Sequence, residues 1–218
     1  MLALSLHAKL EVGLADMSLH ISEEKKAQLV KYLLLLQKWN QVHNLTAVRD
    51  PLEMVTLHLL DSLSVLTYVE ASGAKHLLDV GAGAGLPSIP LAICLPDLQV
   101  TAIDAVMKKT SFMRQAKGEL GLPNFHVETG RVEALKKEFG YDLIISRAFS
   151  EMALFVKLTK HLLSPSGIWL AMKGVAPQLD IEILALEDAS VQVKKIIPLT
   201  VSGLQAERHL VYLSPLSN

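Results

Sequence analysis

The sequence predicts an α/β protein with a doubly wound, mostly parallel seven-stranded sheet and an N-terminal helical extension. Two observations predict this class. A helical pattern fills the first 70 or so residues, and short apolar strands alternate with amphipathic helices from His76 onward. Because the pattern changes near Ser72-Gly73, we expect a helical segment at residues 1–71, packed on a sheet domain at residues 72–218.

The helical segment contains two predicted helices. The first follows Ser22, a favourable N-cap residue, has two glutamates in its first turn, and carries an apolar stripe that includes Leu29 and Leu36. The second follows Asp50, has Pro51 at its first position, and runs through the stretch LEMVTLHLLDSLSVLTYV.

Seven short apolar runs are the strand candidates: HLLDV, QVTAID, FHVET, YDLIIS, GIWLAMK, VQVKKIIPL and HLVYLS. Helix-like segments separate four of the first five, which is the alternation that produces a parallel sheet. Only the glycine-containing turn region LTVSGLQAER separates the last two. We therefore expect an antiparallel pair at the C-terminal end of the sheet.

Composition limits the classes of function. The chain has 218 residues, 50% of them hydrophobic, and a formal net charge of -1, so it can bury a large core but shows no global attraction to nucleic acid. An RNA-binding surface would have to be a local basic patch, and a solvated helix face is the simpler interpretation of any one cluster. The basic clusters are Lys108-Lys109, Arg114, Lys117, Lys136-Lys137 and Lys194-Lys195.

The sequence also indicates a cellular compartment. No stretch approaches the roughly 20 consecutive apolar residues that cross a bilayer, and the N-terminus lacks the basic region of a signal peptide. The single cysteine, Cys94, cannot form an internal disulfide, which agrees with a reducing environment. We expect a cytoplasmic protein without a membrane partner, in which Cys94 is a small buried side chain.

A glycine loop follows the first strand, in the sequence LLDVGAGAGLP at residues 77–87. Ligands of open parallel sheets bind beyond the carboxyl ends of the strands, so this loop is the expected site. A P-loop would need a lysine followed by Ser or Thr, which is missing. The dinucleotide motif G-x-G-x-x-G would follow Gly81 and Gly83 with a third glycine at position 86. Leu86 stands there, and the third glycine of this loop, Gly85, comes one position too early.

Two carboxylates indicate the ligand. Asp104 ends the second strand, 23 residues after Gly81, where a carboxylate can accept hydrogen bonds from the ribose hydroxyls of an adenosine. Asp79 places a negative charge just before the glycines, where an ammonium or sulfonium would be attracted and a pyrophosphate repelled. S-adenosyl-L-methionine satisfies these observations, so we predict that Asp79, Gly81, Gly83, Gly85 and Asp104 bind this cofactor.

The residues after the fourth strand, Ser146-Arg147-Ala148, limit the methyl acceptor. The Asn/Asp-Pro-Pro-aromatic sequence of enzymes that methylate exocyclic amines is missing, and Cys94 lies at the wrong place to be the nucleophile of a cytosine-C5 enzyme. What remains is an acceptor that needs neither a covalent intermediate nor an amine clamp.

Several stretches in one order now carry a family resemblance that covers nearly the whole chain. WNQVHNLTAVRD, HLLDSL, LLDVGAGAGLPSIPLAI, Arg131-Val132-Glu133, YDLIISRAF, Lys173-Gly174 and ERHLV resemble the ribosomal RNA small subunit methyltransferase G family, also called glucose-inhibited division protein B. The resemblance implies a class I, Rossmann-like methyltransferase that modifies N7 of a guanine, position 527 in rRNA numbering, in bacterial 16S rRNA. Two departures are Ser88, where the family usually has glycine, and Lys109, where arginine is usual.

The resemblance also implies roles for individual residues. Gly81, Leu86, Val132, Glu133 and Arg147 would form the cofactor shell. Arg147 and Lys173 would position the guanine through O6 or a neighbouring phosphate and leave N7 free, since a grip on both O6 and N7 would cover the nucleophile. Candidates for RNA contact are Lys108, Lys109, Arg131 and Arg208.

Other assignments stay open at this point. Four polar residues of the helical segment could serve as caps and interhelical bonds or could contact RNA, and two ligands at i and i+3 do not define a metal site, so we expect none. These residues are Asn40, Asn44, His58 and Asp61.

The chain could instead methylate a small molecule or protein, or bind S-adenosylmethionine as a ribosome-associated sensor, and a dehydrogenase is a distant third. The partner implied by the resemblance is 16S rRNA in the 30S subunit or an assembly intermediate, with no DNA. The sequence does not determine the oligomeric state, for which we favour a monomer.

Overall fold

The structure, a computed structural model, describes residues 1–136, 138–147, 149, 151–175 and 178–216. The side chains of residues 179, 180 and 186 also lie outside this description, as do Lys137 and Ala148, which the sequence analysis names.

The seven predicted strands all form, and they build one sheet. Its order is β3-β2-β1-β4-β5-β7-β6. The first five strands pair in parallel, whereas β7 pairs antiparallel with both β5 and β6, which confirms the predicted antiparallel pair at the C-terminal end. The strands are β1 (His76–Val80), β2 (Gln99–Asp104), β3 (Phe125–Thr129), β4 (Tyr141–Ser146), β5 (Leu163–Lys173), β6 (Val191–Pro198) and β7 (His209–Pro215).

The helices are α1 (Leu2–Asp16), α2 (Glu23–His43), α3 (Pro51–Met54), α4 (Asp61–Leu63), α5 (Leu66–Ala71), α6 (Ser88–Cys94), α7 (Met107–Leu120), α8 (Met152–Thr159) and α9 (Gln178–Glu187). Single turns of 3-10 helix occur at Val132–Ala134 and Lys160–Leu162.

Both predicted helix starts in the N-terminal segment are confirmed. The Ser22 side chain accepts a hydrogen bond from the backbone N–H of Lys25, and Asp50 caps α3 through the N–H of Leu52, with Pro51 at the first helical position.

The second predicted helix is not continuous, because a π-helical turn at Val55–Leu60 separates α3 from α4. A π turn changes the hydrogen-bond partner from i−4 to i−5 without requiring particular residue types, so apolar periodicity does not reveal it. Gly13 of α1 packs directly against this turn, since a Cβ at Gly13 would overlap the side chain of Leu60.

The N-terminal helices share one hydrophobic core with the sheet. Leu33 and Leu60 from the helices lie in the same buried cluster as Leu77 of β1 and Leu143 of β4. The opposite face of the sheet packs against α8 and α9 in a second cluster that contains Trp169. The division into a segment at residues 1–71 and a domain at 72–218 stays a prediction, and the shared core means that the two parts are packed together.

The stretch Pro51–Ala71 is long and apolar enough to cross a membrane, with a mean hydropathy of 1.3, but 72% of it is buried inside the protein. Its apolar side chains are therefore used by the core, as in the central helix of a folded domain.

The buried side-chain amide of Asn124 donates hydrogen bonds to carbonyl groups at the C-terminal end of α6. Nδ2 of Asn124 lies 3.0 to 3.1 Å from the carbonyl oxygens of Ala92, Leu95 and Leu98, and the residue is 4% exposed.

We expect Asn124→Ala to lower the free energy of unfolding by about 1–3 kcal/mol, because buried carbonyl groups lose their donor. Chemical denaturation measures the change, with the exposed amide variant Gln115→Ala as control. A loss no larger than that of the control would contradict this role.

Candidate functional site

The glycine loop after β1 has a backbone that only glycine adopts without strain. Gly81, Gly83 and Gly85 have φ angles of 71°, 60° and 84°, all in the left-handed region. A Cβ at Gly85 would lie 2.7 Å from Cγ1 of Ile89, so this glycine lets the loop pack on α6. A Cβ at Gly83 would meet nothing within 4 Å, which leaves the outer side of the loop open to a ligand.

Two neighbouring elements, β2 and α2, hold the loop in place. The backbone N–H groups of Gly81 and Ala82 donate to the carbonyl oxygen of Ile103, at 2.9 and 3.2 Å. The buried hydroxyl of Tyr32 in α2 donates to the carbonyl oxygen of Ala84 at 2.7 Å. The N-terminal helices therefore support the loop from behind.

Asp104, at the end of β2, organises the open side of the loop. Its carboxylate accepts the N–H groups of Gly83 and Val106, each at 2.9 Å, and is 7% exposed. Each carboxylate oxygen can accept more than one hydrogen bond, so these bonds leave capacity for a ribose hydroxyl. Lys109 lies 3.6 Å from the same carboxylate, so the structure places this lysine at the loop, although we expected it to contact RNA.

Asp79 is completely buried beneath the loop. Its Oδ2 accepts the N–H of Ser88 at 3.2 Å, and Oδ1 has no hydrogen-bond partner among the described residues. Burial raises the pKa of this carboxyl to about 7. Near neutral pH the group is therefore only partly charged, which weakens the expected attraction for an ammonium. Ser88 replaces the usual family glycine without closing the loop, because its own side chain is buried.

The loop lines a cavity of about 250 Å³, which we call the loop cavity. Its opposite wall comes from the helical segment and from the end of β4. The lining residues are Leu45, Thr46, His58, Gly81, Ala82, Gly83, Ala84, Leu86 and Arg147.

The chain segment that carries Thr46 is clamped by Asn40. The amide of Asn40 accepts the N–H of Thr46 at 2.9 Å and donates to the carbonyl oxygen of Val48 at 3.1 Å. Arg49 donates to the carbonyl oxygen of Asn40 and to Oδ1 of Asn44, at 3.1 and 2.6 Å. Both asparagines therefore fix the wall of the loop cavity.

A second cavity of about 400 Å³ adjoins the loop cavity and shares His58 and Arg147 with it. We call it the basic cavity, because three cationic side chains line it together with one carboxylate. The lining residues are Val48, Leu57, His58, Asp61, Arg147, Met172, Lys173, Gly174 and Arg208.

Asp61 bridges two of these cations. Its Oδ2 accepts a hydrogen bond from Nη1 of Arg147, and its Oδ1 accepts one from Nε of Arg208, each at 2.8 Å. The carboxylate is 2% exposed. Lys173 donates to the carbonyl oxygen of Phe149 at 3.1 Å. With three cations and one anion, the cavity keeps an excess of positive charge and suits phosphate or a carbonyl oxygen such as guanine O6.

His58 forms the wall between the two cavities. Its Nε2 lies 2.9 Å from Oγ1 of Thr46, and the residue is 6% exposed. Burial, helped by the charge of Arg147, lowers the pKa of His58 to about 4, so the ring is neutral at physiological pH. Within the described residues, no three His, Cys, Asp or Glu side chains cluster as metal ligands.

The other predicted site residues lie outside these two cavities. Arg131 and Lys108 are exposed, and Arg131 is 3.9 Å from Glu133. Val132 is buried beside them, close to the end of β2, because the N–H of Gly130 donates to the carbonyl oxygen of Asp104. Proximity to Asp104 is compatible with an adenine edge at this segment, which stays a prediction.

The structure thus brings together Gly81, Gly83, Leu86 and Arg147 in the loop cavity, and Arg147, Lys173 and Arg208 in the basic cavity. Sequence reasoning missed Thr46 and left His58 and Asp61 without a role. The sequence pattern that could have indicated these residues is the placement of polar side chains among apolar helical ones. It occurs in the stretches WNQVHNLTAVRD and HLLDSL.

Comparison with known sequences gives one consistent result. A family model described as rRNA small subunit methyltransferase G matches residues 25–211. A "Ribosomal RNA small subunit methyltransferase G" of Methylobacillus flagellatus is 60% identical over 205 residues, covering 94% of this chain and 96% of the relative. The protein of the same name from Aromatoleum aromaticum is 53% identical over 210 residues, covering 94% and 97%.

Solved structures with the same fold are methyltransferases. An S-adenosylmethionine-dependent methyltransferase from Aquifex aeolicus matches with a TM-score of 0.56 at 21% identity, covering 77% of this chain and 99% of the other. The glycopeptide N-methyltransferase MtfA, solved in complex with S-adenosyl-L-methionine, matches with a TM-score of 0.59 at 12% identity, covering 71% and 87%. At these identities the match establishes the fold alone, and it confirms the predicted class.

We expect Asp104→Ala to weaken binding of S-adenosylhomocysteine by about 10-fold or more, because the variant loses charge-assisted hydrogen bonds to the ligand and to Gly83. RNA affinity should fall less. Isothermal titration measures the cofactor product, and filter binding measures the RNA. Asp142→Ala is the matched control, since Asp142 also accepts two backbone N–H groups, at the opposite end of the parallel strands. Equal binding by mutant and wild type would remove Asp104 from the site.

The pKa of Asp79 predicts a pH dependence of stability. Because the folded pKa is about 7 and the ordinary value is 3.8, the unfolded chain binds fewer protons than the folded chain between these pH values. The stabilising contribution of protonated Asp79 is therefore fully present below about pH 4. It decreases as the pH rises from 4 and is lost once the pH has passed through the folded pKa of about 7. Without cofactor, we expect wild type to lose about 2.6 kcal/mol relative to Asp79→Asn between pH 5 and pH 8, at about 1.36 kcal/mol per pH unit below the folded pKa.

Urea unfolding at several pH values measures the unfolding free energies of wild type and Asp79→Asn. The contributions of other titrating groups such as His58 are the same in both proteins and cancel in the difference. The control is Asp97→Asn, which removes an exposed carboxylate and should keep a constant difference from wild type. A difference between wild type and Asp79→Asn that does not change with pH would contradict the raised pKa.

Proposed function

The chain belongs to the ribosomal RNA small subunit methyltransferase G family, and on that premise we propose that it transfers a methyl group from S-adenosylmethionine to N7 of a guanine in 16S rRNA. The observation that carries this proposal is the shared wall of the two cavities. The loop cavity suits an adenosine cofactor, the basic cavity suits an RNA nucleotide, and among the residues that the structure describes only His58 and Arg147 line both.

Residues in and beside the loop cavity fit the cofactor. Gly83 leaves space above the backbone, Leu86 offers an apolar contact, and Asp104 lies at the strand end that typically receives a ribose. S-adenosylmethionine supplies an electrophilic methyl group on a sulfonium.

The acceptor explains why the described residues provide no obvious base at this wall. Guanine N7 has an in-plane lone pair and carries no proton, so no side chain has to remove one. His58 is neutral and already bonded to Thr46, which suits a packing and hydrogen-bonding surface. The chain contributes chiefly alignment, which can lower a barrier by roughly 7–11 kcal/mol in favourable cases.

Arg147 and Lys173 are the residues that position the base in this proposal. Both line the basic cavity, and Arg147 is held by Asp61 and by the carbonyl oxygen of Leu57, at 2.8 and 3.3 Å. Contact with O6 or an adjacent phosphate leaves N7 directed at the shared wall. Arg208 lies on the far side of Asp61 and suits a phosphate of the same strand.

The RNA is taken up as part of a particle in this proposal, either the 30S subunit or an assembly intermediate, by a cytoplasmic monomer that uses no membrane and no DNA. The low aromatic content, 5% of residues, argues against a sheet surface that stacks several bases. Contact with one extruded guanine and with backbone phosphates fits a single basic cavity of this size.

The experiment that tests the function is methyl transfer from labelled S-adenosylmethionine to 30S subunits that lack the modification, followed by mapping of the labelled base. We expect label on N7 of one 16S guanine, and none on subunits that already carry it. Cofactor binding without transfer would favour the sensor, and transfer to a small molecule or protein only would favour that substrate class.

RNA binding should depend steeply on salt, since phosphate contacts release counterions. We expect the logarithm of the association constant for the RNA substrate to fall linearly with the logarithm of salt concentration, with a slope of about -2 to -3 for the three cations of the basic cavity. Arg208→Gln should reduce the slope by about 1. Lys160→Gln, at an exposed ion pair with Asp188, is the control. A flat dependence would contradict docking led by phosphate contacts.

A further inference from the structure

A carboxylate in the middle of an RNA-binding cavity opposes the binding of RNA. Asp61 lies between Arg147 and Arg208, and it lines the same basic cavity as Lys173. By charge alone it would repel phosphate and lower the affinity of the cavity for RNA. Its presence there therefore calls for a geometric reason.

We propose that Asp61 is a positioning residue, which holds the guanidinium groups of Arg147 and Arg208 in the orientation that receives the target nucleotide. This inference rests on the proposed function, because it concerns the RNA side of the same site. It assigns to one residue of the helical segment the relative placement of two cations from the sheet domain.

The geometry of the bridge carries the inference. Each carboxylate oxygen accepts one arginine at 2.8 Å, so the two cations are held at opposite edges of one rigid group. Each arginine also donates from Nη1 to a carbonyl oxygen, Arg147 to Leu57 and Arg208 to Glu207. Two described bonds fix each guanidinium plane, and a guanidinium has five N–H donors, so further donors remain for a nucleotide.

The bridge also joins three separate parts of the chain. Asp61 directly follows the π-helical turn, Arg147 directly follows β4, and Arg208 directly precedes β7. The hydrogen bonds connect residues that are 86 and 147 positions apart. Because the carboxylate is 2% exposed, solvent does not compete for its oxygens, and the arrangement is fixed before RNA arrives.

The variant Asp61→Asn separates geometry from charge, because the two explanations predict opposite signs. Loss of the negative charge alone would make the cavity more positive and tighten RNA binding. Loss of the bridge would release one of the two arginines, because the amide of Asn keeps only one acceptor oxygen, and would weaken RNA binding. We expect the dissociation constant and KM for 30S subunits to rise about 10-fold or more, while the dissociation constant for S-adenosylhomocysteine stays within about threefold of wild type.

The measurements are steady-state methyl transfer, sedimentation binding to 30S subunits, calorimetric titration of S-adenosylhomocysteine, and a thermal melt that shows the variant folded at the assay temperature. Asp188→Asn is the matched control, since it breaks an exposed pair with Lys160 of similar length, 2.9 Å, and should change none of these values. Tighter RNA binding by Asp61→Asn, or values within twofold of wild type, would overturn the inference.

A second variant decides the matter if Asp61→Asn fails to fold. Arg208→Lys keeps the positive charge but loses the Nε donor to Asp61. We expect a raised KM for 30S subunits at unchanged cofactor affinity, and an unchanged KM would overturn the inference. Where both variants fold, the double variant should be no worse than Asp61→Asn alone, because both changes break one bridge. Additive losses would contradict the bridge.

The binding readout keeps this test separate from the proposed function. If wild type binds 30S subunits but transfers no methyl group, the proposed reaction fails, and the comparison of Asp61→Asn with wild type in RNA binding still decides the role of Asp61. If wild type binds no 30S subunits, both are overturned.

Discussion

Asp61 accepts a hydrogen bond from Arg147 on one oxygen and from Arg208 on the other, and this buried bridge connects the N-terminal helices to both ends of the site. Without it, two guanidinium groups would face each other across the basic cavity with no anion between them. Asp61 directly follows the π-helical turn. The helical segment is therefore part of the site. It contributes Asp61 to the basic cavity, His58 to the wall between the two cavities, and Tyr32 to the support of the glycine loop.

In the proposed function the two cavities bind different partners, each suited to the charge of its cavity. The loop cavity offers bare backbone and an apolar leucine, and the carboxylate of Asp104 holds the N–H of Gly83 beside it, an arrangement suited to an adenosine. The basic cavity offers cations for the phosphates and carbonyl oxygens of RNA. Their shared wall combines a permanent cation, Arg147, with a neutral imidazole, His58. Such a wall can orient a nucleophile that needs no deprotonation, which matches guanine N7.

Most of the fold could be predicted from the sequence, because each strand is a short apolar run with a helix or turn on either side. All seven strands formed where the pattern indicated, and Ser22 and Asp50 began helices as expected. The π-helical turn could not be predicted, since it changes hydrogen-bond partners and not residue types. The glycine loop was predicted as a ligand site because its residues are contiguous, and the structure gives Gly83 the open space that a ligand needs.

The remaining contacts of the site could not be predicted from the sequence, because they join distant parts of the chain. Asp61 meets an arginine 147 positions away, and nothing local marks the pairing. The RNA contact of Lys109 stays a prediction, but its position 3.6 Å from Asp104 was not foreseen, and it arises because the first turn of α7 follows β2 closely. Asp79 was expected to present a charge to the ligand, whereas burial under the loop raises its pKa to about 7. Burial is a tertiary property, so sequence could supply the carboxylate but not its ionisation.

We propose above all that the methylated guanine enters the basic cavity and meets the cofactor across the His58 and Arg147 wall. The most direct measurement is the position of that nucleotide in a cryo-electron microscopy map of the protein on unmodified 30S subunits with S-adenosylhomocysteine. We expect an extruded guanine among Arg147, Lys173 and His58, with N7 facing the glycine loop. A guanine held elsewhere on the protein, with the basic cavity empty, would contradict it.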